Sequence, residues 1–168
     1  MKICCVTGHR DIAEALTEQV RQALIQEVEK AIRDGFTYFI SGFAEGTDLL
    51  FAEIVLEKQK EHEAVQLEAA IPYRNRYLKL MKTEHTKAML ENCCHVEIVS
   101  EKLASNVYMK RNRYMVDRSN RVIAVYDGRE TGGTVATIRL AHSKRKELRE
   151  IPVGLMTVSY THLTLPTN

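Results

Sequence analysis

What this chain lacks narrows its class first. It has no run of about 18 apolar residues, which excludes a membrane-spanning helix. Its N-terminus, MKICCVTGHR, offers only the short apolar stretch Ile3 to Thr7 before charge returns. That is too short for a signal peptide, so a cytoplasmic location is the expectation. Cysteine is scarce and wrongly spaced for metal. The four residues form two vicinal pairs, Cys4-Cys5 and Cys93-Cys94, with no CxxC among them. No zinc site is expected; both pairs read as reduced core residues in buried strands. There is also no GxSxG elbow, no HExxH, no GxGxxG and no Walker A lysine. No catalytic set emerges from the residues alone.

What is present is an ordinary globular composition, 45% hydrophobic and 27% charged over 168 residues, enough for one domain. Net charge is +2, yet the halves differ. Residues 1–68 carry 7 Lys/Arg against 13 Asp/Glu, and residues 69–168 carry 17 against 9. The second half is suited to an anionic partner. The end of the chain is different again. Residues 154–168 hold no Asp, Glu, Lys or Arg. They read as an uncharged tail, disordered or non-native, and the domain as residues 1–153.

Hydrophobic periodicity alternates between strand and helix. Residues 2–7 read as a buried strand ended by Gly8. Asp11, with Glu14 three residues on, has capping-box spacing for a helix with Leu16, Val20, Leu24, Val28 and Ile32 on one stripe. Strand 36–41, helix 48–61, strand 65–71 ended by Pro72, and one helix over 75–91 with Leu78, Met81 and Met89 inward come next. Strand 94–99, a helix over 107–119 capped by Asn106, strand 121–126 and a helix from Thr134 to Lys146 complete the series. Residues 151–153 add a sixth, edge strand. Such alternation implies an α/β three-layer sandwich with a mainly parallel sheet of five or six strands. In open parallel sheets, ligands bind beyond the carboxyl ends of the strands. The loops to inspect are then 7–11, 41–48, 72–76 (opened by Pro72), 100–106 and 127–134.

Three of these loops carry chemistry. Thr7-Gly8-His9-Arg10 joins a strand to a helix start: glycine admits a ligand close to backbone, Arg10 grips phosphate, Thr7 donates a hydroxyl, and His9 serves as acid/base or stacking residue. In Ser41-Gly42-Phe43-Ala44-Glu45-Gly46-Thr47-Asp48, two glycines and small Ala44 turn backbone N–H groups toward an anion, while Thr47 or Asp48 caps the helix. In Asp127 to Thr134, Gly132-Gly133-Thr134 makes a second phosphate cradle, and Asp127 is placed to accept from a ribose hydroxyl. Residues 107–121 add five Lys/Arg against one Asp, with Tyr108 and Tyr114 interleaved; residues 72–87 are also net positive, with Tyr73 and Tyr77. Basic plus aromatic suits phosphate or base contact, although a snorkelling charged face is the simpler reading for most of these residues.

TGHR, SGxAxGxD and DGxxxGGT, in that order, resemble the motifs of the SLOG superfamily, and the YpsA-like proteins within it most closely. RNRYMVDRSN, which places Arg111, Asn112 and Asp117, matches the same pattern. The resemblance implies a Rossmann-like fold that binds a nucleotide or a nucleotide-derived ligand such as ADP-ribose or NAD, as a sensor or regulatory protein, with a homo-oligomer left open. In that reading Arg10 and Arg111 address phosphates, and Asp48 and Asp127 sugar hydroxyls. Two alternatives stand beside it. SGFAEGTD is similar to the loop of the DprA family, which binds single-stranded DNA, so nucleic acid is a second candidate partner. The Gly-Gly-Thr loop is similar to that of the LOG phosphoribohydrolases, which makes the chain an N-glycosidic hydrolase with Glu45, Asp127 or His9 as acid/base. Here Thr131 stands where that loop has proline, and no glutamate follows Thr134.

Overall fold

The computed structural model describes residues 1–154; the tail expected beyond the domain lies almost wholly outside them. Six strands and six helices alternate: β1 (Lys2–Gly8), α1 (Glu14–Arg33), β2 (Phe36–Ser41), α2 (Thr47–Gln59), β3 (Gln66–Tyr73), α3 (Arg74–Leu80), α4 (Glu84–Glu91), β4 (His95–Ser100), α5 (Val107–Arg118), β5 (Arg121–Tyr126), α6 (Gly133–Ser143) and β6 (Glu147–Pro152). All ladders are parallel, in the order β4-β3-β2-β1-β5-β6. The chain builds outward from β1 to β4, then crosses to the other side of β1. This is a Rossmann-like α/β fold.

Both faces of the sheet are covered, which is why the strands read as continuous apolar runs. Period-two alternation splits them between two cores. Cys4, Val6, Phe39, Leu67, Ile71, Ile123 and Val125 pack with Val20, Leu24 and Val28 of α1 and Phe51 and Val55 of α2. Cys5, Tyr38, Ile40, Ala70, Val122 and Ala124 pack with Met115 and Val116 of α5 and Ile138 and Ala141 of α6. Burial pushes the Cys5 thiol up to about 12 and raises Cys4 as well, so this pair is inert and protonated.

Several local expectations need correction. Asp11 does not cap α1; Ala13 holds the cap position without a side-chain hydrogen bond, and the exposed Asp11 carboxylate lies 3.3 Å from Arg129 instead. Asn106 holds the cap position of α5, also without a side-chain bond. β3 runs through Pro72, and its pairing resumes at Tyr73 with Ser100. The helix expected over 75–91 breaks at Met81 to Thr83; Leu80 before the break and Met89 and Leu90 after it are all buried in the first core. Leu78, expected inward, is 49% exposed. The second cysteine pair precedes β4, with Cys93 partly buried and Cys94 exposed. β6 starts four residues earlier than expected.

One buried carboxylate fixes the helix that matters most for function. Glu68, on β3, is fully buried and receives both oxygen contacts of Arg118, at 2.6 and 2.7 Å. The hydroxyls of Tyr38 and Tyr114 donate to the same carboxylate. Tyr114 and Arg118 belong to α5, so the helix is pinned to the sheet at its C-terminal half. Two turns earlier it carries Arg111. Replacing Glu68 by Gln removes the charge while keeping the shape. Charge-assisted hydrogen bonds contribute about 1.5–3 kcal/mol, and Glu68→Gln is expected to lower urea-unfolding stability by that amount. Amide exchange in Val107–Arg118 should accelerate more than in α1; unchanged stability would contradict this anchoring role.

Candidate functional site

Parallel strands send the segments after β1, β2, β3 and β5 off one edge of the sheet. Between β1 and β5 the chain leaves toward opposite layers, and a crevice opens there. It holds a cavity of about 430 Å³, bordered by Thr7 to Asp11, Ala44, Asp48, Tyr108, Arg111, Asn112, Arg129, Gly133 and Thr134. A second cavity of about 410 Å³ adjoins it and shares Arg10, Ala44, Tyr108 and Arg111. Gly42, Glu45, Pro72, Tyr73, Asn75, Arg76 and Lys79 line only the second.

His9 ties the three glycine loops together. Its carbonyl oxygen accepts the Thr47 N–H at 3.2 Å and the Thr47 hydroxyl at 3.0 Å. Gly46 makes this approach feasible. Its φ is +76°, and a Cβ there would sit 2.6 Å from the Arg10 carbonyl and 2.7 Å from that of His9. The His9 ring, 6% exposed, reaches the third loop. Nε2 lies 3.1 Å from both the Asp127 N–H nitrogen and Asp127 Oδ1, and Nδ1 lies 3.4 Å from Thr134 Oγ1. A ring protonated on Nδ1 accepts from the Asp127 backbone; one protonated on Nε2 donates to the carboxylate. Either tautomer bridges β1 to β5. Burial, the largest cause, holds the His9 pKa below its ordinary 6.5, with Asp127 opposing.

The second loop folds around Asp48. Ser41 Oγ donates to the Asp48 carbonyl at 2.8 Å, and the Ala44 N–H donates to Asp48 Oδ2 at 3.2 Å. Phe43, fully buried, pays for this turn with φ +55°, the left-handed region. Arg111 enters from α5, 4% exposed, and donates to Gly42 O at 2.6 Å, Ala70 O at 3.4 Å and Asn112 Oδ1 at 2.8 Å. A Cβ on Gly42 would fall 2.5 Å from Arg111 Nη1 and 2.7 Å from Asp48 Oδ2, so only glycine fits between them. Burial raises the Asp48 carboxyl above its ordinary value, against the pull of Arg111. Burial, and the like charge of Arg10, lower Arg111 against the pull of Asp48. Arg10 itself lies over the Tyr108 ring at 4.7 Å.

The third loop contributes differently from expectation. Arg129 grips the Asp127 carboxylate through Nε and Nη2, at 3.0 and 2.7 Å, and holds it down to about 2. Asp127 is thereby engaged within the loop. Gly133 and Thr134 border the first cavity at the start of α6, where the first backbone N–H groups have no intrahelical acceptor.

The structure therefore brings Thr7, Gly8, His9, Arg10, Ala44, Asp48, Arg111, Asn112, Gly133 and Thr134 to the first cavity, and Gly42, Glu45 and Pro72 to the second. Ser41, Gly46 and Thr47 act as loop braces. Gly132 sets the entry to α6 with φ +114°. Asp117 does not join them: it pairs with Lys144 at the far end of α5. Sequence reasoning missed Arg129, Arg76 and Asn75 as lining residues. Arg129 is a single loop side chain and Asn75 and Arg76 sit in the first turn of the short α3, where periodicity carries no signal, although Arg129 lies inside the third motif and Arg76 inside the basic segment noted above. Among the described residues, no group of three His, Cys, Asp or Glu is placed to hold a metal ion, and no helix is long and apolar enough to cross a membrane.

Fold and loops together define a Rossmann-like α/β protein with glycine loops meeting over one crevice at the carboxyl edge of its sheet. The chain belongs to the YspA SLOG family, whose profile matches residues 4–160. It is similar to a UPF0398 protein of Bacillus thuringiensis (strain Al Hakam), 23% identical over 155 residues, covering 86% of this chain and 84% of that one. A UPF0398 protein of Bacillus cereus (strain B4264) matches at the same 23% identity and the same coverage. Among solved structures, DNA processing protein A from Helicobacter pylori, described by its single-stranded DNA binding mode, superposes with TM-score 0.65 at 20% identity. That match covers 92% of this chain and 66% of the other. TM1055 superposes with TM-score 0.59 at 14% identity, covering 88% of this chain and 72% of the other. These structural likenesses establish the shared fold.

The brace at His9 makes stability depend on pH. The folded state favours the neutral ring, whereas the unfolded chain takes up a proton near pH 6.5. This stabilisation is full above pH 6.5 and is lost as pH falls below it. Asp127 acts in a separate window: its contribution is full above 3.8 and is lost toward about 2. Urea unfolding across pH should show wild type weakening below 6.5, and His9→Asn should remove that slope while leaving the acid limb. A slope that survives the substitution would refute the assignment.

Proposed function

We propose that the crevice binds a nucleotide or nucleotide-derived ligand, of the ADP-ribose or NAD kind, and that the protein acts as a sensor or regulator. Arg111 carries this reading. It is a buried guanidinium whose hydrogen bonds go to neutral acceptors, Gly42 O, Ala70 O and Asn112 Oδ1. The Asp48 carboxylate favours its charge, and a second guanidinium, Arg10, stands close enough to oppose it. Two cations held together beside a helix N-terminus form a field that an anion completes. Phosphate would sit on Arg10, Arg111 and the first N–H groups of α6; Asp48 and Thr134 are near for sugar hydroxyls.

Binding is better supported than hydrolysis. Each candidate acid/base is engaged elsewhere: His9 braces loops, Asp127 is gripped by Arg129, and Glu45 is exposed, 3.6 Å from Arg76.

Thermal unfolding of the full chain with AMP, ADP-ribose or NAD tests the reading. Ligand at about 100 times its Kd adds about 2.7 kcal/mol. A charge-assisted contact contributes about 1.5–3 kcal/mol, so Arg10→Ala is expected to weaken binding by about tenfold or more. Absence of stabilisation by all three at millimolar concentration would overturn the proposal.

A further inference from the structure

We infer that the second cavity is a binding subsite for a second phosphorylated nucleoside unit, and that the ligand class is a dinucleotide with phosphate on each of two consecutive units. This rests on the reading of the first cavity given above. The two cavities are of similar size, about 430 and 410 Å³, and each falls within the range of small-molecule sites. They meet along a wall made by Arg10, Ala44, Tyr108 and Arg111, so one ligand can engage both without leaving cationic surface.

The second cavity has its own chemistry. Tyr73 and Tyr108 meet edge to face, ring centroids 6.2 Å apart, which gives an aromatic corner for a base. Arg76 and Lys79 add two cations to the shared pair, against the single carboxylate of Glu45. Arg76 is positioned by donating to Phe43 O at 2.8 Å, so it is tied to the same loop that cradles Arg111. The first cavity sets Asp11 and Asp48 against Arg10, Arg111 and Arg129. Positive charge is thus more concentrated in the second cavity than in the first, and a ligand with charge at only one end leaves it unmatched.

The same charges limit ligand length. Beyond the second cavity, Arg74 is neutralised by Glu101 at 3.0 Å. In the first, the lining residue Arg129 is neutralised by Asp127 at 2.7 Å and Asp11 at 3.3 Å. Among the described lining cations, Arg76 meets the exposed Glu45 at 3.6 Å, whereas Arg10, Arg111 and Lys79 have no carboxylate within 4.0 Å. These three span the two cavities, which favours a dinucleotide over a long single strand.

Calorimetric titration of the full chain with AMP, ApA, the 5′-phosphorylated pApA, NAD and a twelve-residue oligoadenylate tests this. Expected is pApA binding at least tenfold tighter than ApA or AMP, with NAD, whose phosphates lie together in the bridge, gaining no such advantage. Lys79→Glu and Tyr73→Ala should collapse the ratio of pApA to AMP affinity toward one. AMP binding with no preference for pApA, or a preference that survives both substitutions, overturns the second subsite while leaving the first intact. A twelve-residue strand more than tenfold tighter than pApA overturns the dinucleotide class in favour of nucleic acid. Failure of every probe overturns the first-cavity reading, and this inference with it.

Discussion

The site depends on His9. Its backbone carbonyl takes two hydrogen bonds from Thr47, and its ring spans from Asp127 to Thr134. One residue thereby locks three loops that are separated in sequence by more than thirty residues each. Loops at a sheet edge are ordinarily the mobile part of such a fold. Here a buried imidazole makes them parts of one surface, and glycine at position 46 exists to let that contact close. Without the brace, Arg10 and the start of α6 have no fixed relation to each other, and there is no preformed anion site.

Arg111 supplies the charge and α5 supplies its position. Burying a guanidinium is costly unless its donors find acceptors; three neutral oxygens accept from Arg111, and Asp48 is the nearby carboxylate that favours its charge. The helix is held to Glu68 and Tyr38 of the sheet through Tyr114 and Arg118, three and seven residues beyond Arg111 along α5. A buried carboxylate on the sheet, held by a half-exposed Arg118, and a buried cation at the sheet edge are thus the two fixed points of one helix. The uneven distribution of charge along the chain takes on meaning in this light. The basic half contributes Arg76, Lys79, Arg111 and Arg129, while the acidic half contributes the loops that set Asp48 beside them.

Much of this was readable in the sequence, and the reasons for the rest are physical. Strands buried on both faces announce themselves as apolar runs, so β1, β2 and β5 were legible, as was the α/β class. Glycine at or within two residues of a strand's end marked all three loops. Contacts between residues far apart in the chain were not legible. Asp127 reads as free for a ribose until Arg129 is seen folded onto it, and Asp11 reads as a cap until the same arginine draws it away. Asp117 matches a motif yet points to the other end of α5, because a helix of twelve residues carries its two ends to opposite edges of the sheet. The break at Met81 to Thr83 lies between buried Leu80 and buried Met89 and Leu90, and periodicity along the one segment does not record it.

The central claim is that one braced crevice, formed by the loops after β1, β2 and β5, is where the ligand binds. Backbone amide NMR during titration with ADP-ribose locates the site without assuming any residue. The account predicts shifts concentrated at residues 8–11, 44–48, 108–112 and 129–134, moving together with a single saturation curve. Saturable shifts confined to another face of the protein, such as the α1 surface, would contradict it.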